Sequence, residues 1–340
     1  MKSHKYFLAL AMTSTLGLAA CGSGGGSEGG EAAEGDTYAW DFTITTGNTS
    51  TWYEGAELFA ETVEEESDGR ITVNIFTNEQ LSGGDPAAGI EQLMSGEKEL
   101  SFNSTIIYAG IDPRFGAVNA PFLYSDLDQA RGTVEATGVD AYTEISAEQG
   151  VHVLGMGESG FRQLTNNVRP VRTPADVEDI KFRIPGIGLF TDIYQELGAN
   201  PTTMNFAEVF TSLQQGTIDG QENPIDIIYS AGLDEVQEHL TVWNYVYDPL
   251  ILGINKDLYD SLSEEDQAIV DGAAEAAIEL QIGNNRENEA GQLDELRETM
   301  EVIELTPEES EAFREAMNPV YEQYESVWGE DLIAAVTPEG

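Results

Sequence analysis

The chain is 340 residues long and carries 62 Asp and Glu against 15 Lys and Arg, a formal net charge of −47. So acidic a surface excludes nucleic acid and anionic lipid headgroups as partners, because phosphate binding needs gathered positive charge. The single cysteine, Cys21, rules out an internal disulfide, and the histidines form no H-x-x-x-H or H-E-x-x-H spacing, which leaves no zinc or histidine-base centre. Self-repulsion at this charge is relieved by salt, and a saline or alkaline habitat is expected. The melting temperature should therefore rise between low salt and molar NaCl, and a flat response would contradict that expectation.

In chain order, Met1-Lys2-Ser3-His4-Lys5 is basic, Tyr6 to Leu18 is mostly apolar, and Leu18-Ala19-Ala20-Cys21 ends like a lipobox. Residues 1–20 are therefore read as a lipoprotein signal peptide with Cys21 as the lipid attachment point. A lone thiol also suits a nucleophile or a core position, but its place after an apolar stretch and two alanines favours the lipid acceptor. Gly22 to Asp36 is almost wholly Gly, Ser, Glu and Ala without large apolar side chains, which predicts a flexible tether over residues 21–37. No later stretch approaches the ~20 apolar residues of a membrane span. The expectation is an extracytoplasmic protein held to the cell membrane by lipid, with about 300 ordered residues, enough for two lobes.

Strand and helix signals then alternate, the pattern of α/β architecture. Trp40, Phe42 and Ile44 predict a strand, Trp52 to Glu66 a helix stopped at Asp68-Gly69, and Ile71, Val73 and Ile75 a second strand. Asp85 to Ser95 predicts a helix closed by Gly96, and a third strand begins at Leu100 to Phe102. The same grammar resumes with a strand at Ile180 to Ile184, a helix at Leu189 to Leu197 before Gly198, and a helix at Ala207 to Gln215 before Gly216. After Leu262 a cap at Ser263-Glu264-Glu265-Asp266 opens 37 proline-free residues to Thr299. If continuous they span about 55 Å, so either one of Gly272, Gly283 and Gly291 bends the helix or it crosses both lobes. A last helix is expected from the Thr306-Pro307-Glu308-Glu309 cap, with Phe313, Met317, Val320, Tyr324 and Val327 on one face.

Positive charge is scarce, yet Arg162, Arg169, Arg172, Lys181 and Arg183 fall within 22 positions. Gathered guanidinium groups suit an anion site, since each offers a planar fork matched to a carboxylate; ordinary surface pairing with Asp and Glu is the other reading. The sequence carries no spacing of a catalytic centre. Gly157-Glu158-Ser159-Gly160-Phe161 lacks the spacing of a nucleophile elbow, which leaves Ser159 a loop residue, and the glycines of 24–30 precede no helix that might cradle phosphate. A hydrolase would need a carboxylate pair across a cleft, and no spacing singles one out. The residues describe a binding site rather than a reaction centre.

Several blocks in series carry a family resemblance: Gly160-Phe161-Arg162-Gln163, Thr165-Asn166-Asn167-Val168-Arg169-Pro170-Val171, Lys181-Phe182-Arg183-Ile184-Pro185, Leu197 to Phe210, and Asp219-Gly220-Gln221-Glu222-Asn223-Pro224. Together they resemble the solute-binding subunit of TRAP transporters, the DctP-type family, from about Asp41 to Trp328. The resemblance implies a two-lobed, periplasmic-binding-protein-like α/β fold with a hinge and a long helix spanning both lobes. Lobe I would take residues 38–160 plus about 249–288, and lobe II 161–248 plus about 289–340. It further implies a monomer without cofactor or catalytic activity, which passes its ligand to a permease of one small and one large membrane subunit driven by an ion gradient. A ligand-sensing partner of a membrane receptor, built on the same fold, is the alternative.

By the same resemblance, Arg183 forms a bidentate pair with the ligand carboxylate, Arg162 stands near that carboxylate, Asn223 hydrogen-bonds it, and Phe206 packs on the ligand. From the other lobe come Asn48, Trp52, Ser104 and Thr105, after strands where open sheets present ligand-facing loops, and Tyr245 stands at a further wall. The absence of an acidic residue at Ser104 speaks against sialic acid. A sugar acid such as a uronate or aldonate is the favoured ligand, ahead of a C4-dicarboxylate or keto acid.

Overall fold

The computed structural model describes residues 36–338. The expected signal peptide, most of the tether and Cys21 lie outside the described residues. Among the described residues the strands are β1 (Tyr38–Ile44), β2 (Ile71–Phe76), β3 (Leu100–Ser104), β4 (Val151–Asn166), β5 (Phe182–Ile184), β6 (Thr202–Thr203), β7 (Gly220–Pro224), β8 (His239–Asn255) and β9 (Glu301–Glu304). They form one sheet in the order β2-β1-β3-β8-β4-β7-β5-β6, with β9 paired to β8.

Two parallel groups flank an antiparallel centre. β1 pairs in parallel with β2 and β3, and β5 in parallel with β6 and β7, which are the two α/β blocks expected. Between them run β8 and β4, 17 and 16 residues long, paired antiparallel over their whole length. At ~3.3 Å per residue such strands reach roughly 50 Å, long enough to belong to both blocks. Their pairing slips at three places, and one slip, between Glu158 and Gly160, lies where Pro249 interrupts the opposite strand. Pro249 has no amide hydrogen for the ladder, and Gly160 takes a left-handed φ of 94°, so the bend is written in both strands. Ser159 thus sits on a strand at this irregularity, not in a loop; its hydroxyl accepts a bond from the Trp52 indole.

The first block follows its sequence closely. Ser50 caps the Thr51–Glu66 helix, and Asp85 and Gly96 close the Pro86–Ser95 helix at its two ends. Trp40, Phe42, Phe59 and Leu252 fill a core beneath these elements. The helix that starts at Ser263 is continuous from Glu264 to Thr299, 36 residues. Added side chains at Gly272, Gly283 and Gly291 would meet nothing, so these glycines face outward and bend nothing. Buried Ala273, Ala274 and Ala277 let the helix lie close on the Thr51–Glu66 helix, and further along it packs on β4 and on the Ile225–Ser230 helix of the second block. Gly157 is required at this crossing, since a Cβ there would stand 2.7 Å from both Phe102 and Gln281.

Three expected elements differ in detail. The strand before Pro185 starts at Phe182 rather than Ile180, and the Ala207 helix opens as a tight turn over Phe206–Glu208 before the Val209–Gln214 helix. The last helix is three: Pro307–Ala316, Asn318–Trp328 and Glu330–Val336. Pro319 starts a new helix because it cannot donate to the preceding turn. The break re-phases the apolar stripe, so Val327 is 39% exposed and Trp328 takes the buried place. These helices rest on an aromatic core with Tyr124, Tyr142 and Trp243.

Candidate functional site

Strand alternation aims the first site residue. Phe182 and Ile184 enter the core, so Arg183 between them points to the opposite face, into a cleft. There it is 4% exposed. Its Nε and Nη2 both donate to the Met204 carbonyl, at 3.0 and 2.8 Å, and its guanidinium lies 5.9 Å from the Phe206 ring centre. The Nη1/Nη2 edge, the other fork of the group, carries no partner among the described residues. Burial depresses its pKa to about 10, Glu222 opposes the shift, and the neighbouring Arg162 adds to it.

Arg162 has a different environment. It is 5% exposed at the place where β7, β4 and β8 run side by side. Its Nε donates to Glu222, its Nη2 to a Glu222 carboxylate oxygen at 2.8 Å and to Asn223 Oδ1 at 3.0 Å, and its Nη1 to Asp248 at 2.5 Å. Burial works against this cation, and the Glu222 and Asp248 carboxylates outweigh it, so its pKa rises. Burial in turn raises Asp248, against the pull of Arg162 and a hydrogen bond from Ser104. Surface pairing therefore does not describe these two arginines. It does describe Arg172, half exposed beside Glu309, whereas Arg169 braces the carbonyls of Asp176 and Glu178.

The cleft encloses about 410 Å³ of space, its open mouth included. It brings together Arg183, Arg162, Asn223, Phe206, Ser104 and Trp52, all named from the sequence. Six further lining residues were not: Thr45, Thr46, Ile106, Ile107, Pro185 and Ile227. The Trp52 indole donates to Ser159 at 3.2 Å, tying the start of its helix to β4. Since Trp52 lines the cleft, a bound acid should change the protein's tryptophan fluorescence. Trp52→Phe should remove most of that change and cost about 1–2 kcal/mol in a urea melt through the lost hydrogen bond. An undiminished signal in Trp52→Phe would mean that the ligand lies elsewhere.

Three other expected residues do not line the cleft. Asn48 is exposed in the turn after β1. Thr105 is buried as the first residue of a short helix capped by Ser104, and its hydroxyl donates to Asn119 at 3.0 Å, because the chain turns inward there. Tyr245 lies behind the cleft among Phe122, Phe190 and Trp243, and its hydroxyl donates to Glu222 at 2.7 Å. That bond ties it to the carboxylate that also holds Arg162. Glu222 stands in the quoted Gln-Glu-Asn-Pro block, but its role depends on β4 and β8 lying beside β7, which no local spacing reveals.

Comparison with known proteins agrees with this fold. Residues 42–327 match the family described as bacterial extracellular solute-binding protein, family 7, DctP. The chain is 31% identical over 299 residues to the 2,3-diketo-L-gulonate-binding periplasmic protein YiaO of Escherichia coli, covering 87% of this chain and 90% of that protein. The structure superposes with a TM-score of 0.85 on the sugar acid binding protein DctPAm of Advenella mimigardefordensis in complex with galactonate, at 30% identity over 89% of this chain and 97% of that one. A TRAP periplasmic solute-binding protein of Ralstonia eutropha with bound (S)-2-acetolactate gives the same TM-score and identity over 88% and 97%. The fold is therefore the periplasmic-binding-protein-like α/β fold expected. The chain belongs to the DctP family, the solute-binding proteins of TRAP transporters.

Proposed function

We propose that the protein captures a small organic acid outside the cytoplasm by pairing its carboxylate with Arg183, and delivers it to a TRAP-type permease of one small and one large membrane subunit. One observation carries this reading: a buried guanidinium, depressed in pKa by burial, keeps its Nη1/Nη2 edge free toward a cleft. A carboxylate on that edge gains two charge-assisted hydrogen bonds shielded from water. The acids bound by the relatives, galactonate and acetolactate among them, support the same class. Asn223 adds a donor beside the carboxylate, and Trp52 and Phe206 cover the rest of the ligand.

Residues 38–160 with about 249–288 form lobe I in this reading, and residues 161–248 with about 289–340 form lobe II. The register slip at Gly160 and Pro249 in the long strands supports a division at that point. The protein works as a monomer without cofactor, tethered by lipid at Cys21. A thermal-shift screen of the purified protein in high salt tests the capture, with sugar acids, dicarboxylates and keto acids against neutral sugars. Stabilisation by several degrees with an acid, absent in Arg183→Ala, is expected; stabilisation by neutral sugars alone would refute the carboxylate pair.

A further inference from the structure

Resting on that carboxylate reading, we infer from the hydrogen bonds already made inside the cleft that its ligand is a short aliphatic monocarboxylate bearing one 2-oxo or 2-hydroxy oxygen, not a polyhydroxylated sugar acid or a dicarboxylate. Each polar side chain lining the cleft can be followed to its partners. The Thr45 hydroxyl donates to Asn103 at 2.6 Å, and the Thr46 hydroxyl is bonded to Ser50 at 2.7 Å. Ser104 Oγ donates to Asp248 and accepts from the Ile106 amide, and the Trp52 indole is held by Ser159.

Three donor positions remain. Arg183 keeps its Nη1/Nη2 edge. Arg162 Nη1 has one bond, to Asp248, and a second hydrogen, while Asn223 Nδ2 has one bond, to Gln221 at 2.5 Å, and a second hydrogen. Two parallel donors on Arg183 suit one carboxylate. Arg162 and Asn223 are neighbours, joined by a 3.0 Å bond from Nη2 to Oδ1, and the spare hydrogens on Nη1 and Nδ2 suit one further oxygen beyond the carboxylate, the oxygen on C2 of a 2-oxo or 2-hydroxy acid.

Beyond these donors, and apart from the already bonded Thr45, Thr46, Ser104 and Trp52, the lining is hydrocarbon: Ile106, Ile107, Pro185, Ile227 and the Phe206 ring. A hydroxyl placed against it loses its water partners and gains none, which weakens binding roughly tenfold for each such group. An aldonate or uronate carries several. A second carboxylate would need a second free cation, and the only other one lining the cleft among the described residues, Arg162, is already held by Glu222 and Asp248.

Calorimetry of the purified protein in high salt with 3-methyl-2-oxobutanoate, 2-hydroxy-3-methylbutanoate, 3-methylbutanoate, succinate and galactonate tests this. The 2-oxo or 2-hydroxy acid should bind at least 100-fold tighter than galactonate or succinate, and at least tenfold tighter than 3-methylbutanoate. Galactonate or succinate binding as tightly or more tightly, and lost in Arg183→Ala, would overturn the ligand class while leaving carboxylate capture intact. Binding of an acid that survives Arg183→Ala, or no binding by any of the five, would overturn both.

Discussion

Arg183→Ala is expected to abolish capture of the acid while the protein stays folded. The two halves of this expectation have separate causes. Binding fails because the ligand carboxylate, enclosed and dry, loses the fork that neutralises it. Removing one partner of a buried charge pair costs ~2–5 kcal/mol, or roughly 30-fold to a few thousand-fold in affinity. The fold survives because Arg183 pairs with no carboxylate within salt-bridge distance in the described residues, and its pKa is lowered to about 10 by burial. A cation so depressed is held against its preference for water, so its removal takes little from stability. Arg183→Lys should lose most of the affinity as well, since an ammonium group cannot present two parallel donors. Calorimetry showing near-wild-type affinity in either folded variant would refute the assignment.

Arg162→Met should do the reverse damage, striking stability first. Here the guanidinium separates Glu222 and Asp248, both fully buried, and its loss leaves two carboxylates facing each other without a counter-charge. Breaking such a group costs ~3–5 kcal/mol, a fall in Tm of roughly 10 °C for a chain of this size. The double variant Arg162→Met, Asp248→Asn should recover part of the loss, because the remaining carboxylate then faces a neutral amide. A single variant as stable as the wild type, or a double variant less stable than the sum of its parts, would show that the cluster does not hold the three strands together.

The contrast between these arginines marks the limit of what was legible in the sequence. Both stand in recognisable blocks, Gly-Phe-Arg-Gln and Lys-Phe-Arg-Ile-Pro, and both were assigned to the ligand. What separates them is the company they keep. The partners of Arg162 lie 60 and 86 residues away on strands brought alongside by the sheet, while Arg183 meets a backbone carbonyl 21 residues away. Pairing at that range leaves no local pattern. Tyr245 and Thr105 were misplaced for the same reason, since a strand or helix start indicates depth in the chain but not which way a side chain turns.

Elements governed by short-range chemistry were read well. Gly96 and Ser263 are caps as their residue types predict, and the proline-free run to Thr299 is helical throughout, the continuous one of the two readings left open. The central β4 and β8 went unread. Three glycines and three register slips break the alternation of β4, and Asp248-Pro249 interrupts β8, so neither shows a period of two long enough to recognise. The Pro319 break in the C-terminal helix was visible in the sequence and was passed over in favour of the apolar stripe.

The most direct test of carboxylate capture is a crystal structure of the protein with the acid that stabilises it most. The account predicts the ligand carboxylate on the Nη1/Nη2 edge of Arg183, with both oxygens within hydrogen-bond reach and Arg162 still held by Glu222 and Asp248. A ligand whose carboxylate lies away from Arg183, or Arg162 drawn off its two carboxylates to take the ligand, would contradict it.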